Sequence, residues 1–187
     1  MQEKGRSSGD ELPKYLEESE ANKVIEKAKD HKKRDHLVLL TLFRSGIRVG
    51  ELVELEKRDI REDRGELLIR RGKGGKDRVV PLERELGILL SYYTDDLGKY
   101  DKAFDISTRT VRNIVKRHAA DLDLSLPLEK ISSHTFRHSY AVKVLRDGMN
   151  IRSLQKALGH KDLATTMIYL DIIAQDVKDD FEESTEW

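Results

Sequence analysis

The sequence predicts a mainly α-helical fold that carries one small antiparallel β-sheet, an α+β architecture. Apolar residues return at helical spacing through most of the chain, with breaks at glycine-containing segments. The stretch GELLIRRGKGGKDRVVPL contains two β-type segments around a glycine-rich turn, which is typical of a hairpin. The chain has 187 residues, of which 37% are hydrophobic, and this is enough for one domain with a buried core.

The individual elements follow from these patterns in chain order. Residues 1–14 are polar and rich in glycine and serine, so they are expected to form a flexible linker or tail. The first helix is expected after Ser19, with Val24, Ile25 and Ala28 on one side. Further helices are expected at 33–43, before the break at Ser45-Gly46, at 49–55, 83–96, 107–122, 132–147, 150–158 and 163–169, and strands at 66–71 and 77–81.

Charge is balanced overall but unevenly distributed. With 35 acidic and 35 basic residues the net charge is zero, which argues against a chain that simply coats polyanions. A local basic face is still allowed, because residues 70–78 hold five basic side chains and one acid. Residues 171–187 hold seven acids and one lysine and are expected to form an acidic helix or tail. This tail has two interpretations, since it could mask a partner surface or only aid solubility.

Several function classes are excluded by what the sequence lacks. The chain has no cysteine, which rules out disulfides, thiolate metal sites and cysteine nucleophiles. No apolar run reaches the roughly 18 residues that span a membrane, and the polar start does not resemble a signal peptide. We therefore expect a cytoplasmic protein with no membrane partner.

The helix expected at 132–147 has an unusual charge arrangement. At about 100° per residue, its apolar face holds Ala141, Val144 and Leu145 and its polar face holds Ser139, Lys143 and Arg146. His134, Arg137 and His138 fall on the apolar side near the helix N-terminus. A buried arginine is costly unless paired, and the positive end of a helix is a poor place for a cation unless an anion binds there. The arrangement favours an anion site in a crevice; the alternative is an Arg–carboxylate pair beside core histidines.

Two other basic residues belong to the same question. Arg48, in SGIRVGEL, follows a glycine-ended helix, and Glu51 comes three residues later, where it could orient the guanidinium. Lys73 lies in the GKGGKDR turn, whose glycines would let it approach a backbone phosphate. Each has an ordinary alternative, a surface salt bridge for Arg48 and a solvated hairpin turn for Lys73.

A metal site is not expected. His134 and His138 have the i, i+4 spacing of a helical zinc pair, but Arg137 between them would repel a cation and no cysteine or nearby carboxylate completes a ligand set. The GKGGK turn is not a nucleotide-binding P-loop either, because it lacks the required spacing and is followed by a strand.

Taken together, the motifs resemble the catalytic domain of the tyrosine recombinases, the Xer and phage-integrase family. SGIRVGELVELEKRDI is similar to the first-arginine box, and RRGKGGKDRVVPL to the lysine hairpin. HTFRHSYAVKVLRDGMNIRSLQKALGHKDLATTMIYL is similar to the His-x-x-Arg box, the Leu-Gly-His box and the tyrosine helix, and STRTVRNIVKRHAADL to the helix that precedes them. The resemblance covers residues 15–170 and implies the fold of that domain, which is related to type IB topoisomerases.

The resemblance also implies residue roles. Tyr169 would attack a DNA phosphodiester to give a 3′-phosphotyrosyl link, with its phenol pKa lowered by neighbouring cations. Arg48 and Arg137 would hold the non-bridging oxygens. Lys73 would protonate the leaving 5′-oxygen. The remaining implied roles are proton transfer for His134, a hydrogen bond to the phosphate for His160, support of Arg48 for Glu51, a structural place for His138, and DNA contacts for Arg70, Arg71, Lys76 and Arg78.

The implied partner is double-stranded DNA, bound by a homotetramer on paired recombination sites, with a monomer possible in free solution and no cofactor. Family members usually carry a second, N-terminal helical domain, so we expect a catalytic-domain fragment; the alternative is a minimal enzyme. They often have a third strand where LGKYDKAFDIST is short, so we expect a reduced sheet. The alternatives are a type IB topoisomerase-like nicking and resealing activity, or a catalytically silent DNA-binding accessory protein.

Overall fold

The computed structural model describes residues 12–70 and 77–184, and the elements below are those of this part of the chain. The helices are α1 Glu18–Lys29, α2 Lys33–Ser45, α3 Val49–Glu54, α4 Arg84–Tyr93, α5 Thr108–Ala119, α6 Ser133–Arg146, α7 Ile151–Leu158 and α8 Ala164–Ser184. The strands are β1 Ile60–Arg61, β2 Glu66–Ile69 and β3 Arg78–Pro81. The mainly helical α+β class is therefore confirmed. Of the helices described, none has the length and apolar character needed to cross a membrane.

The sheet has three antiparallel strands in the order β1-β2-β3. Leu67 in β2 pairs with Ile60 on one side and with Val80 on the other. The two predicted strands correspond to β2 and β3, and LGKYDKAFDIST contains no strand, but the prediction missed a third strand of the sheet. The strand that it missed, β1, has only two residues, too few to show the period-2 pattern by which a strand is recognised in sequence.

Two apolar cores hold the helices in place. The larger core is built from α1, α2, α5 and the sheet, with fully buried side chains such as Leu37, Leu42 and Leu67. The smaller core joins α6, α7 and α8 and contains Tyr140, Leu154, Leu158, Tyr169 and Ile172. Tyr169 is therefore a core residue in this structure, 1% exposed.

Gly46 ends α2 and sets the path of the chain toward Arg48. Its backbone is left-handed, with φ of 61°, and a Cβ at this position would lie 2.2 Å from Cδ1 of Tyr140. Only glycine allows both this turn and the close approach of α6 to α2. The chain then places Arg48 as the residue that precedes the first turn of α3.

The predicted faces of α6 are only partly correct. Arg137 is buried and His138 is partly buried, as expected, but His134 is exposed. Ser139, expected on the polar face, is 2% exposed and its Oγ accepts a hydrogen bond of 2.8 Å from the backbone N–H of Leu16. The segment before α1 covers that side of α6, and a helical projection of α6 alone cannot reveal this contact.

The last helix is longer than the sequence predicts. Helix α8 is continuous from Ala164 to Ser184, so the expected boundary between the domain at 15–170 and the tail at 171–187 falls inside it. Ile172 is 3% exposed in the smaller core, and thus the first turn beyond that boundary packs on the domain.

Candidate active site

Arg137 lies at the centre of the site and is held by backbone carbonyls. Its Nη1 donates to the carbonyl of Gly46 at 2.6 Å, and its Nη2 donates to the carbonyl of Leu158 at 2.7 Å. Its Nη2 also lies 3.1 Å from Nε2 of His160. Within residues 12–70 and 77–184, no carboxylate forms an ion pair with it, so the Arg–carboxylate alternative is not what the structure contains.

Helix ends explain how a cation can be buried there. Gly46 and Leu158 are at the C-termini of α2 and α7, where unpaired carbonyls carry partial negative charge. Arg137 is only 4% exposed. This burial, together with the charge of Arg48, lowers the pKa of its guanidinium to about 10. The group is still a cation at neutral pH, and no carboxylate of the described residues pairs with it to neutralise its charge. This is the electrostatic condition for binding an anion.

The carboxylate of Glu51 is bonded to two arginines, Arg48 and Arg78. Its carboxylate accepts from the Arg48 backbone N–H at 2.7 Å and from Arg48 Nη1 at 3.1 Å. The same carboxylate accepts two hydrogen bonds from Arg78, at 2.7 and 2.8 Å. Burial alone would raise the pKa of Glu51, but the hydrogen bonds and charges of Arg78 and Arg48 hold it below its ordinary value. The predicted contact between Glu51 and Arg48 is confirmed.

Arg78 itself is engaged inside the protein. Besides its two bonds to Glu51, its Nε donates to the carbonyl of Ala157 at 2.9 Å. A Cβ on Gly159 would lie 3.0 Å from that Nε, so glycine leaves the space that the side chain fills. Arg78 thereby joins β3 to the end of α7, next to the two arginines of the site.

A cavity of about 800 Å³ opens beside these groups. Its lining includes Arg48, Glu51 and the exposed His134, together with Arg58, Arg70 and Asp77. Arg70 is paired with Asp59 at 2.5 Å but keeps 35% of its side chain exposed. His134 lines this cavity with an exposed side chain, at its rim and away from the core.

His160 is fixed on both ring nitrogens. Nε2 faces Arg137 at 3.1 Å, and Nδ1 lies 2.9 Å from Oγ1 of Thr166 on α8. Burial, with the charges of Arg137 and Arg48, lowers the pKa of His160 to about 4. The imidazole is therefore neutral at pH 7.

Tyr169 is joined to the site by His138. Its Oη lies 2.9 Å from Nδ1 of His138, and the two rings are tilted with centroids 5.8 Å apart. Burial lowers the pKa of His138 to about 4, aided by His134 and Arg137. Burial also raises the pKa of Tyr169, and the nearby arginines offset this only in part. The neighbouring cations lower that pKa as expected, but the loss of water raises it by more, so the net shift in this conformation is upward.

The sequence-predicted site residues thus separate into three groups. Arg48, Arg137 and His160 come together around one position, with Glu51 behind Arg48. His134 lies at the cavity rim, and Tyr169 lies in the core against His138. Lys73, Arg71 and Lys76 fall in the segment 71–76, outside the described residues.

Sequence reasoning did not assign Thr166 to the site, and it assigned a different contact to Arg78. Thr166 supports His160, and its only sequence signal is a position one helical turn before Tyr169. Sequence reasoning assigned Arg78 to DNA contact, whereas in the structure its guanidinium is paired with Glu51. The Arg78 contact joins residues 27 positions apart, and the Thr166 contact spans the connection between α7 and α8, so neither has the regular spacing of a helix or strand.

Metal-ligand geometry occurs elsewhere in the described residues. His31, Asp35 and His118 have potential ligand atoms within 4.8 Å of one another, between the start of α2 and the end of α5. Asp35 already accepts hydrogen bonds from Arg34 at 2.9 Å and Arg117 at 3.2 Å. Two cations beside the carboxylate disfavour a third, so we assign no metal to this group.

Known proteins resemble the chain over most of its length. A family model described as the phage integrase family matches residues 14–175. Tyrosine recombinase XerA of Pyrococcus furiosus is 36% identical over 183 residues, which cover 92% of this chain and 62% of that protein. XerA of Thermococcus kodakarensis is 34% identical over 177 residues, which cover 89% and 61%. The chain thus spans about three fifths of the length of these curated relatives.

Two solved recombinase structures also resemble the chain. A crystal structure of XerA recombinase superposes with a TM-score of 0.76 at 26% identity, covering 98% of this chain and 68% of that one. XerH site-specific recombinase, bound to a palindromic difH substrate in a post-cleavage complex, gives 0.77 at 26% identity, covering 98% and 56%. By sequence and by fold, the chain belongs to the phage integrase family of tyrosine recombinases.

Proposed function

We propose that the chain is the catalytic domain of a site-specific DNA recombinase, which cleaves and rejoins DNA strands through a 3′-phosphotyrosyl intermediate. The observation that carries this proposal is the buried guanidinium of Arg137, which has no carboxylate partner among the described residues and lies beside Arg48 and His160. Such a group favours an anion, and a DNA phosphate is the anion on which the relatives' chemistry acts. A similar recombinase, XerH, has been solved on its difH substrate after cleavage, which supports DNA as the partner.

The proposed reaction is a transesterification in two reversible steps. The Tyr169 oxygen attacks phosphorus, the bond from phosphorus to the 5′-oxygen breaks, and Lys73 supplies the proton that the leaving oxygen takes. Arg48 and Arg137 stabilise the charge that develops on the non-bridging oxygens. A free 5′-hydroxyl then attacks the phosphotyrosyl link and restores a phosphodiester. Because one phosphate ester is exchanged for another, no nucleotide hydrolysis is required.

Tyr169 must move before it can attack. Its side chain is 1% exposed and bonded to His138 in the smaller core, where no duplex can reach it. We propose that DNA binding moves the part of α8 that follows Thr166, so that the phenol reaches the phosphate held by Arg48 and Arg137 while Thr166 stays against His160. In this proposal His134, which lines the cavity, accepts the phenol proton after that shift.

The exposed face of α5 is the surface we propose to lie against DNA. Helix α5 contains no acidic residue, and its solvent side presents Arg109, Arg112 and Asn113. Arg70, Arg71 and Lys76 of the hairpin extend the cationic surface in this proposal. For Arg78 we propose a different task, the positioning of Glu51, because its guanidinium is already bonded to that carboxylate.

The proposed assembly is a homotetramer on paired DNA sites. The competing functions predict different products, so a supercoiled plasmid with two sites separates them. Recombinant circles support the proposal; relaxed plasmid without recombinants would favour the topoisomerase-like activity, and unaltered plasmid that is nonetheless bound would favour the accessory protein.

A suicide substrate tests the chemistry directly. A duplex site, selected from random sequence by binding to the chain, is nicked close to the cleavage position so that the released fragment diffuses away and religation fails. We expect a covalent adduct on a denaturing gel with the wild-type chain and none with Tyr169→Phe. An adduct of equal yield in Tyr169→Phe would overturn the proposal.

A further inference from the structure

The two contacts of His160 define where its proton lies. An arginine guanidinium has donors only, so Nη2 of Arg137 must donate to Nε2 of His160 across their 3.1 Å separation. Nε2 therefore carries a lone pair, and the proton of the neutral ring is on Nδ1. That proton points to Oγ1 of Thr166 at 2.9 Å, which accepts it.

This tautomer is wrong for contact with a phosphate. Phosphate oxygens accept hydrogen bonds, so a ring that meets them through Nε2 must carry its proton there. Nδ1 then becomes a lone pair that needs a donor in a buried place. Among the described residues, Thr166 is the partner that faces Nδ1, and a hydroxyl can either donate or accept.

Thr166 is well placed for such a reversal. Its side chain is fully buried, with 0% exposure, so water does not substitute for it. It lies on α8 three residues before Tyr169, on the same helical face. The His160 ring is thus joined directly to the helix that bears the nucleophile.

We infer that Thr166 is a positioning residue that selects the tautomer of His160. Without DNA its hydroxyl accepts from Nδ1–H, and Nε2 accepts from Arg137. With a phosphate bound, the ring gives its Nδ1 proton to solvent and takes one from solvent at Nε2; the hydroxyl then reverses and donates to Nδ1, and Nε2–H donates to the phosphate oxygen. The inference rests on the proposed function, because it requires His160 to meet a DNA phosphate.

Nitrogen-15 NMR of the full chain, labelled at histidine, tests the first half without any reaction. At pH 7 we expect the His160 signal, assigned by its loss in His160→Gln, to show protonated Nδ1 and unprotonated Nε2. In Thr166→Val the Nδ1 proton should exchange much faster with water, whereas Thr166→Ser should protect it. Protonated Nε2 in the wild-type chain, or an unchanged Nδ1 proton in Thr166→Val, would overturn the inference.

The rate of adduct formation on the suicide substrate tests the second half. Thr166→Val should slow it about tenfold, because the Nδ1 lone pair loses its donor, and Thr166→Ser should recover most of the rate. In a His160→Ala background the valine substitution should have no further effect. A purely structural role would instead slow both backgrounds equally, and that result would refute the tautomer assignment.

Thr165→Val is the matched control, since Thr165 precedes Thr166 on α8 and is exposed. It should leave both the NMR signal and the rate unchanged. If the wild-type chain forms no adduct at all, the proposed function fails while the NMR result still decides whether Thr166 holds the Nδ1 proton.

Discussion

At the edge of the cavity, the carboxylate of Glu51 compensates the charges of Arg48 and Arg78. Its side chain and that of Arg78 are only 10% and 12% exposed, and Arg48 shares the same carboxylate. Removing one partner of a buried ion pair costs about 3–5 kcal/mol, because the other charge is left without compensation. We expect Glu51→Gln to lower the free energy of unfolding by about 3 kcal/mol, measured by urea denaturation.

The control for this substitution is Glu54→Gln in the same helix. Glu54 is 69% exposed and pairs with Lys102 at the surface, so its loss should change stability by less than about 0.5 kcal/mol. Sulfate should restabilise the Glu51→Gln variant more than the wild-type chain, since uncompensated arginines bind the anion. A loss of less than about 1 kcal/mol in Glu51→Gln would contradict the pairing described.

Two partly buried histidines of the site, His138 and His160, contribute to how stability depends on pH. The pKa values of His138 and His160 are lowered to about 4 in the folded chain, against about 6.5 in an unfolded one. Between these values the unfolded chain binds more protons, so the free energy of unfolding falls as pH drops from about 6.5 to about 4. Above that window both states are neutral at these rings and the contribution is fully present.

Urea denaturation at a series of pH values measures this dependence. The double variant His138→Asn/His160→Asn should show a shallower fall in stability across the window than the wild-type chain. Parallel curves for the double variant and the wild type would show that these rings are not buried as neutral groups.

At the scale of elements, α8 is fastened to the body by a group that we name the α8 clasp, consisting of Arg146, Asp176, Glu17 and Tyr15. Arg146 on α6 donates to Asp176 on α8 at 2.6 Å and to Glu17 before α1 at 2.7 Å. The hydroxyl of Tyr15 accepts from Arg146 at 3.1 Å. Since Asp176 lies two turns beyond Tyr169, the clasp helps to hold the phenol in the core.

Loss of the clasp should loosen α8. We expect Arg146→Ala to speed amide hydrogen exchange in residues 164–176 about fivefold, because a partly exposed ion-pair network contributes about 1 kcal/mol. Exchange in α2, which belongs to the larger core, should stay the same. Lys178→Ala is the control, since Lys178 is exposed and its partner Glu182 is on the same helix; equal exchange in the two variants would refute the clasp.

The same scale shows which elements a sequence can reveal. Long helices with one apolar face, such as α1 and α2, were predicted within a few residues because their packing follows their own periodicity. Strand β1 was missed because its pairing with β2, and not its pattern, defines it. The length of α8 was underestimated because its acidic second half shows little apolar periodicity after Ile172.

The site divides in a similar way. Arg48, Arg137 and His160 were identified from short motifs whose glycines and helix ends place them. The burial of Tyr169 and the bonds of Arg78 depend on packing between distant segments, and the contact of Thr166 with His160 depends on the path of the chain between α7 and α8. The resemblance to family motifs therefore predicted which residues belong to the candidate site, whereas their arrangement required the tertiary structure.

At the scale of the whole molecule, DNA binding depends on where the basic residues lie, because the chain has no excess of positive charge. The net charge is zero, yet α5 presents Arg109 and Arg112 without an acid in the helix. Each phosphate contact releases about 0.9 counterion from duplex DNA. We expect the variant Arg109→Ala/Arg112→Ala to reduce the slope of log K against log salt concentration by about 2, measured by fluorescence anisotropy with a duplex site.

Arg64→Ala supplies the comparison for this measurement. Arg64 is 65% exposed and lies in the turn between β1 and β2, so it tests the removal of an arginine outside α5. Its salt slope should equal that of the wild-type chain. An unchanged slope in the α5 variant would place the DNA on another surface of the molecule.

The central claim is that Tyr169 becomes joined to the 3′ side of a cleaved DNA strand, and the adduct itself tests it most directly. The gel-purified adduct is digested with protease and nuclease, and the nucleotide-bearing peptide is sequenced by mass spectrometry. We predict a nucleotide linked through its 3′-phosphate to Tyr169, with a 5′-hydroxyl on the released fragment. A nucleotide on any other residue, or a link through a 5′-phosphate, would contradict the account.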